Sequence, residues 1–346
     1  MYDCSADVRA FHNQEVTLPE SERNKMRSRR NSNRVRLDGN LEKDDKPVPY
    51  EHVSQGSYQM KTMLRDPNND YDIDDGAYFE KGALVGERGA YMTSLQARQM
   101  VCDAMDDGGF KTPPKVRNNC VRVYYSAGYH VDVPVYRRVE VNGEIWYELA
   151  ASSGWKRSDA RDVSDWYENE RADSDDPIQF RRVNRHLKKH AKSRESWKSR
   201  NLSGFGISVL VAEQFRADGD REDRALYNTM VAIRNRLKFS TVIDHPVTPG
   251  ESITSSDPDP AATFFRDRLS DAIAYLDPLF DDDCDRETAL KCWDKVFNTT
   301  FFSERYQPEL EKKSALSAPG IAAGALLGST AAAAAAVSDT GGGRHA

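Results

Sequence analysis

Three acidic residues in two short segments define the chemistry this chain could perform. In Tyr71-Asp72-Ile73-Asp74 an extended backbone alternates its side chains, so Asp72 and Asp74 share one face while Tyr71 and Ile73 take the other. Two carboxylates side by side repel and raise each other's pKa, and a divalent cation between them relieves that cost. Hard Mg²⁺, with Mn²⁺ as the alternative ion, accepts such oxygen donors together with substrate phosphates. In Val131-Asp132-Val133-Pro134-Val135 three valines alternate with Asp132, which sends the valines to a core and the carboxylate away from it. Fifteen residues before Asp72 stands Gln55-Gly56-Ser57. Glycine lets a backbone come close to a ligand, and its N–H groups with the serine hydroxyl can hold phosphate oxygens. Each signal has a plainer reading. Asp75-Gly76 would let the acidic run form a turn, a lone Asp on a strand is commonly a surface residue, and Gly-Ser by itself is nearly uninformative. The three together are more specific than any one.

The elements that must position these residues can be read in outline. Residues 1–20 read as a loose lead-in, followed by a polar helix to about residue 41 with acids early and arginines later, as the helix dipole favours. Strands are expected over residues 71–79, 120–125, 130–141 and 144–150, with a hairpin turn at Asn142-Gly143 and a helix over 94–105. After Ser158 the period becomes helical, over 159–171, 177–190, 204–215, 221–239, 260–276 and 286–297. Leu226, Met230, Ile233 and Leu237 fall on one stripe of the fourth of these. The expected class is α+β: residues 1–50 a lead-in with its helix, 51–157 a catalytic core with a mixed sheet, 158–310 a helical domain closing the cleft, and 311–346 a flexible Ala/Gly-rich tail.

Composition narrows the function classes. The 346 residues carry a net charge of −6, which argues against a stable nucleic-acid partner, since duplex-binding proteins are more often basic. Charge is unevenly spread, however. Residues 181–200 hold nine Lys or Arg, and acids gather over 66–80 and 257–294. A basic helix facing a small acidic cleft would suit a metal–triphosphate substrate, although solvated helix faces account for most such charges. The five cysteines include no CxxC pair and read as reduced, in a cytoplasmic protein. Residues 314–338 are uncharged and long enough to span a bilayer, but their Ala, Gly and Ser content gains little from lipid, so no membrane partner is expected.

Beyond these residues, QGSYQMKT, YDIDDGAYF, HVDVPVY, WKRSDARDVSDW and RRVNRHLKKH resemble, in order, segments of the polymerase-β-like nucleotidyltransferases, within them the bacterial relatives of cyclic GMP–AMP synthase. The resemblance implies that fold and a cyclic-oligonucleotide synthase using ATP, GTP or other NTPs, acting in antiphage defence; a monomer is expected. It implies that Gly56 and Ser57 contact the donor triphosphate, that Asp72 and Asp74 bind both metals, and that Asp132 binds the metal activating the attacking ribose hydroxyl. Lys188 matches a lysine that reaches the phosphates, with Lys189 pointing elsewhere on its helix. Ser203 matches a serine near the donor ribose or base, or is an ordinary helix cap. Arg122 matches an acceptor contact, or is a surface arginine, and Gln55 is a nucleotide contact or purely structural. The resemblance also suggests an E1–E2-type conjugating enzyme acting on the Gly-rich terminus DTGGGRHA, the alternative being a solvated linker end with no partner. P-loop, GxGxxG and HExxH motifs are absent, as is a zinc-binding Cys/His cluster. The rival readings are a transferase that modifies RNA, protein or a small molecule, and an inactive relative that kept the fold.

Overall fold

Alternating apolar residues in the first half of the chain build one mixed sheet of eight strands. The structure is a computed structural model and describes residues 1–66, 71–86, 88–125 and 128–306. In chain order come α1 (Ser5–Phe11), α2 (Glu20–Lys43), β1 (Glu51–Gln55), α3 (Gly56–Gln59), β2 (Asp72–Glu80) and α4 (Ser94–Met105). Then follow β3 (Lys115–Val116), β4 (Val121–Tyr124), β5 (His130–Val133), β6 (Val135–Val141), β7 (Glu144–Ala151) and β8 (Gly154–Arg157). The second half is α5 (Ala160–Ala172), α6 (Pro177–Ala191), α7 (Gly204–Gln214), α8 (Glu222–Phe239), α9 (Pro260–Tyr275) and α10 (Arg286–Phe297). The expected α+β class and mixed sheet are borne out.

β2 is the hub of the sheet. It pairs antiparallel with β1 along one edge and parallel with β5 and β6 along the other. β5 and β6 keep one register against β2, and Pro134 divides them because it has no N–H to donate. The Pro134 carbonyl still accepts from the Ala77 N–H at 2.9 Å. The single strand expected over 130–141 is therefore two strands on one line. β4 continues the sheet from β5 and β7 from β6. Asn142 and Gly143 both have positive φ, 54° and 82°, as a two-residue hairpin turn between β6 and β7 requires.

The pleat sorts the side chains. Ala77, Phe79, Val121, Val123, Val131 and Val133 share an apolar core with Leu37 and Leu41 of α2 and Ala97 and Val101 of α4. A capping box of Thr93 and Gln96 starts α4. The opposite face bears Asp72, Asp74, Arg122 and Asp132. In the helical half, Asp159, Asp176, Ser203, Asp259 and Asp285 each cap the helix that follows, which explains why the helix starts were legible to within a residue or so.

Residues 1–20 are not a loose lead-in. Cys4, Val8, Phe11 and Val16 are fully buried in the core of the helical half. The Cys4 N–H and Ser5 hydroxyl donate to Asp223 at 2.8 and 2.6 Å, while Arg286 and Arg305 donate to buried Asp7 at 3.0 and 3.2 Å. The chain's start completes the helical core, and residues Met1–Tyr306 form one compact unit. The expected tail lies outside the described residues. Among the described residues, no helix is long and apolar enough to cross a membrane.

Candidate active site

Strand register assembles the carboxylates. Asp74 on β2 stands opposite Asp132 on β5, and Asp72 stands opposite His130. Asp72 lies at the exposed end of β2 with its Oδ1 3.3 Å from His130 Nδ1. Asp132 is buried. Burial, then the charges of Asp132 and Asp72, push the Asp74 carboxyl up to about 7. Nothing in the apolar pattern of β2 demands two acids on this face, so the crowding is a cost the sheet tolerates.

Gly56 closes over Asp74. Gln55 pairs with Asp74 across β1 and β2, and the chain then turns with Gly56 at φ +60°. A Cβ on Gly56 would overlap Asp74 Oδ2, so glycine is required here for both its backbone and its lack of a side chain. Ser57 follows and lines a cleft of about 400 Å³ shared with Thr62, Asp72 and Lys188. Gln55 itself turns away from the cleft into the protein. Its buried Oε1 accepts from the Tyr136 hydroxyl at 3.2 Å, and its Nε2 donates to the Tyr78 hydroxyl at 3.5 Å. Tyr78 in turn donates to Asp159, the cap of α5, at 3.0 Å. This chain of bonds ties the sheet to the first helix of the helical half.

The basic wall of the cleft comes from α6. Lys188 Nζ donates to the Thr62 carbonyl at 3.1 Å and to its hydroxyl at 3.0 Å. Burial, then the positive charges of Lys192 and Arg185, push Lys188 down to about 7. Lys189, expected to point elsewhere, lines the same cleft, and its Nζ donates to the Arg65 carbonyl at 3.5 Å. Its long flexible stem makes up for the rotation of about 100° between adjacent helix positions. Ser203 caps α7, its Oγ accepting the Gly206 N–H at 3.0 Å. A Cβ on neighbouring Gly204 would sit 2.9 Å from Lys188 Cε, so the start of α7 packs against the lysine stem.

Arg122 is no surface arginine. It lies opposite Asp132 in the antiparallel β4–β5 pair, where its Nε and Nη2 each donate to one Asp132 oxygen at 2.7 Å. Its Nη2 is also 4.0 Å from Asp72 Oδ1. Among the described residues no three His, Cys, Asp or Glu side chains are gathered as a ready-made metal cage. The donor set nevertheless fits a hard divalent ion: crowded carboxylates, one with a raised pKa, beneath a glycine that leaves room at Oδ2. Sequence reasoning missed Thr62, His130, and Cys120, whose thiol is pushed up to about 12 by burial and then by Asp132. For His130 a signal existed, because it shares the face of Asp132 two residues on.

The geometry can now be set beside known proteins. Residues 50–136, which span β1 to the start of β6, match the nucleotidyltransferase domain of the cyclic GMP-AMP synthase DncV-like family. Over that stretch the chain is similar to the DncV-like nucleotidyltransferases. A cyclic GMP-AMP synthase of Escherichia albertii is 25% identical over 225 residues, covering 63% of this chain and 48% of that protein. The chain thus spans about half the length of the curated relative it matches. The structure of a Vibrio cholerae DncV point mutant with ATP, GTP and 5MTHFGLU2 has a TM-score of 0.65 at 16% identity, over 82% of this chain and 92% of that one. The structure of Escherichia coli MS115-1 CdnC with ATP has a TM-score of 0.62 at 18% identity, over 86% and 98%. The fold of the DncV-like enzymes therefore extends well past the matched domain, through the helical half.

Proposed function

We propose that this DncV-like nucleotidyltransferase is a second-messenger synthase, joining nucleoside triphosphates into a cyclic di- or trinucleotide with release of pyrophosphate. The observation that carries the reading is the register pair Asp74–Asp132 beneath Gly56, beside a cleft lined by Ser57, Asp72 and Lys188. The relatives support it: one is named cyclic GMP-AMP synthase, and the solved structures hold ATP and GTP. A role in antiphage defence follows by analogy with the family.

Gly56 and Ser57 bind the donor triphosphate, and Lys188, protonated on contact, supplies a positive charge to it. Asp72, Asp74 and Asp132 would hold Mg²⁺ or Mn²⁺, which would supply charge neutralisation for the attacking and leaving oxygens of an in-line displacement. The acceptor ribose oxygen forms the new bond to the α-phosphorus, the pyrophosphate leaves with the electron pair of the broken bond, and the hydroxyl proton goes to solvent. A second transfer within the linear product closes the ring.

The test is pyrophosphate release by Asp132→Ala. Bond formation should fall by on the order of 100-fold or more while NTP binding persists, because Asp72 and Asp74 remain. Near-normal release would remove Asp132 from the mechanism.

A further inference from the structure

We infer that Arg122 and a divalent cation are alternative partners of Asp132, so that the arginine must leave this carboxylate before the metal centre is complete. The inference rests on the reading of Asp72, Asp74 and Asp132 as metal ligands. The register of β4 against β5 sets Arg122 directly across from Asp132, and both carboxylate oxygens accept from its guanidinium at 2.7 Å. The same group stands 4.0 Å from Asp72 Oδ1, so one fixed positive charge lies between two of the three acids. A dication held by those acids would meet the guanidinium at contact distance, with like charges and shared lone pairs.

The pair also has room to open. Arg122 is one-quarter exposed, and on its outer side β4 pairs with the two-residue strand β3, Lys115 standing opposite Arg122. A long side chain there can swing outward without disturbing the core beneath Val121 and Val123. In the ligand-free protein the guanidinium thus takes the role of the cation, holding Asp132 in place and damping the repulsion among the three acids. Asp72 and Asp74 can receive an ion arriving with the triphosphate, and the ion that needs Asp132 loads last, when Arg122 moves to another partner.

The experiment is direct titration of Mn²⁺ into the full, nucleotide-free chain, followed by the loss of the free-ion electron paramagnetic resonance signal. Arg122→Gln should bind Mn²⁺ about tenfold more tightly than wild type, the order expected for losing a competing bidentate charge pair. Arg122→Lys, which keeps the charge but not the fork, should fall between them and serves if the glutamine variant does not fold. The gain should vanish when Asp132→Asn is added. Equal or weaker binding by both arginine variants overturns the inference, as does a gain that survives Asp132→Asn. If no protein binds Mn²⁺ above an Asp72→Asn/Asp74→Asn control, the metal reading itself fails and the inference falls with it.

Discussion

Gly56 approaches Asp74 so closely that no other residue fits: a Cβ would overlap the carboxylate, and φ is +60°. Gly56→Ala should therefore displace the carboxylate it faces. We expect a stability loss of about 1–2 kcal/mol from the left-handed backbone, and a fall in pyrophosphate release on the order of 100-fold from the misplaced carboxylate. Thermal melting and the release assay, run on the same sample, check both. Full activity in the alanine variant would show that Asp74 can move without consequence.

Asp74 makes stability pH-dependent in a predictable direction. Its carboxyl rises from 3.8 to about 7 on folding, so between those values the folded state holds a proton that the unfolded state has lost. Stability from this group is present at low pH and is lost as pH rises through about 7. Asp74→Asn should thus gain little at about pH 4 and on the order of 2 kcal/mol at about pH 8 in the presence of chelator. Denaturant melts at the two pH values measure this. A difference that does not grow with pH would contradict it.

Much of the site was legible because strands obey a two-residue period. Asp72, Asp74 and Asp132 could be assigned a face from Ile73, Val131 and Val133 alone, and Gly56 and Ser57 from their place before that strand. Other features needed distances that sequence does not carry. The α1 segment is seven residues long, too short for a helical period to stand out, and the ionic and hydrogen-bonding partners Asp223, Arg286 and Arg305 lie more than two hundred residues away. Arg122 resembled a surface arginine until the β4–β5 register placed it on Asp132. Gln55 belongs to the motif by sequence but bonds two tyrosines, one on β2 and one on β6. Lys189 shows that one helical step does not exclude a long side chain from a cleft.

Lys188 should take up a proton when a triphosphate binds. Buried and held near 7 in the free protein, it is largely neutral at about pH 8, and phosphate oxygens favour its charged form. Calorimetry of a non-hydrolysable NTP analogue at about pH 8, in buffers of different ionisation enthalpy, should report uptake of about one proton by wild type and less by Lys188→Met. Equal uptake by the two would place the lysine outside the phosphate site.

Residues 314–346 are proposed to be dispensable for chemistry and to offer the Gly-rich terminus DTGGGRHA to an E1–E2-type conjugating enzyme. Truncation after Lys313 should leave nucleotide synthesis unchanged in the release assay. Lost activity would make the segment part of the working enzyme.

Product identity tests the central claim most directly. The full chain is incubated with ATP, GTP, CTP and UTP and with Mg²⁺ or Mn²⁺, the mixture is treated with phosphatase, and the surviving nucleotides are weighed by mass spectrometry. The account predicts a phosphatase-resistant cyclic di- or trinucleotide from wild type and none from a folded Asp72→Asn/Asp74→Asn variant. Only linear, phosphatase-sensitive products, or a cyclic product that persists in that variant, would contradict it.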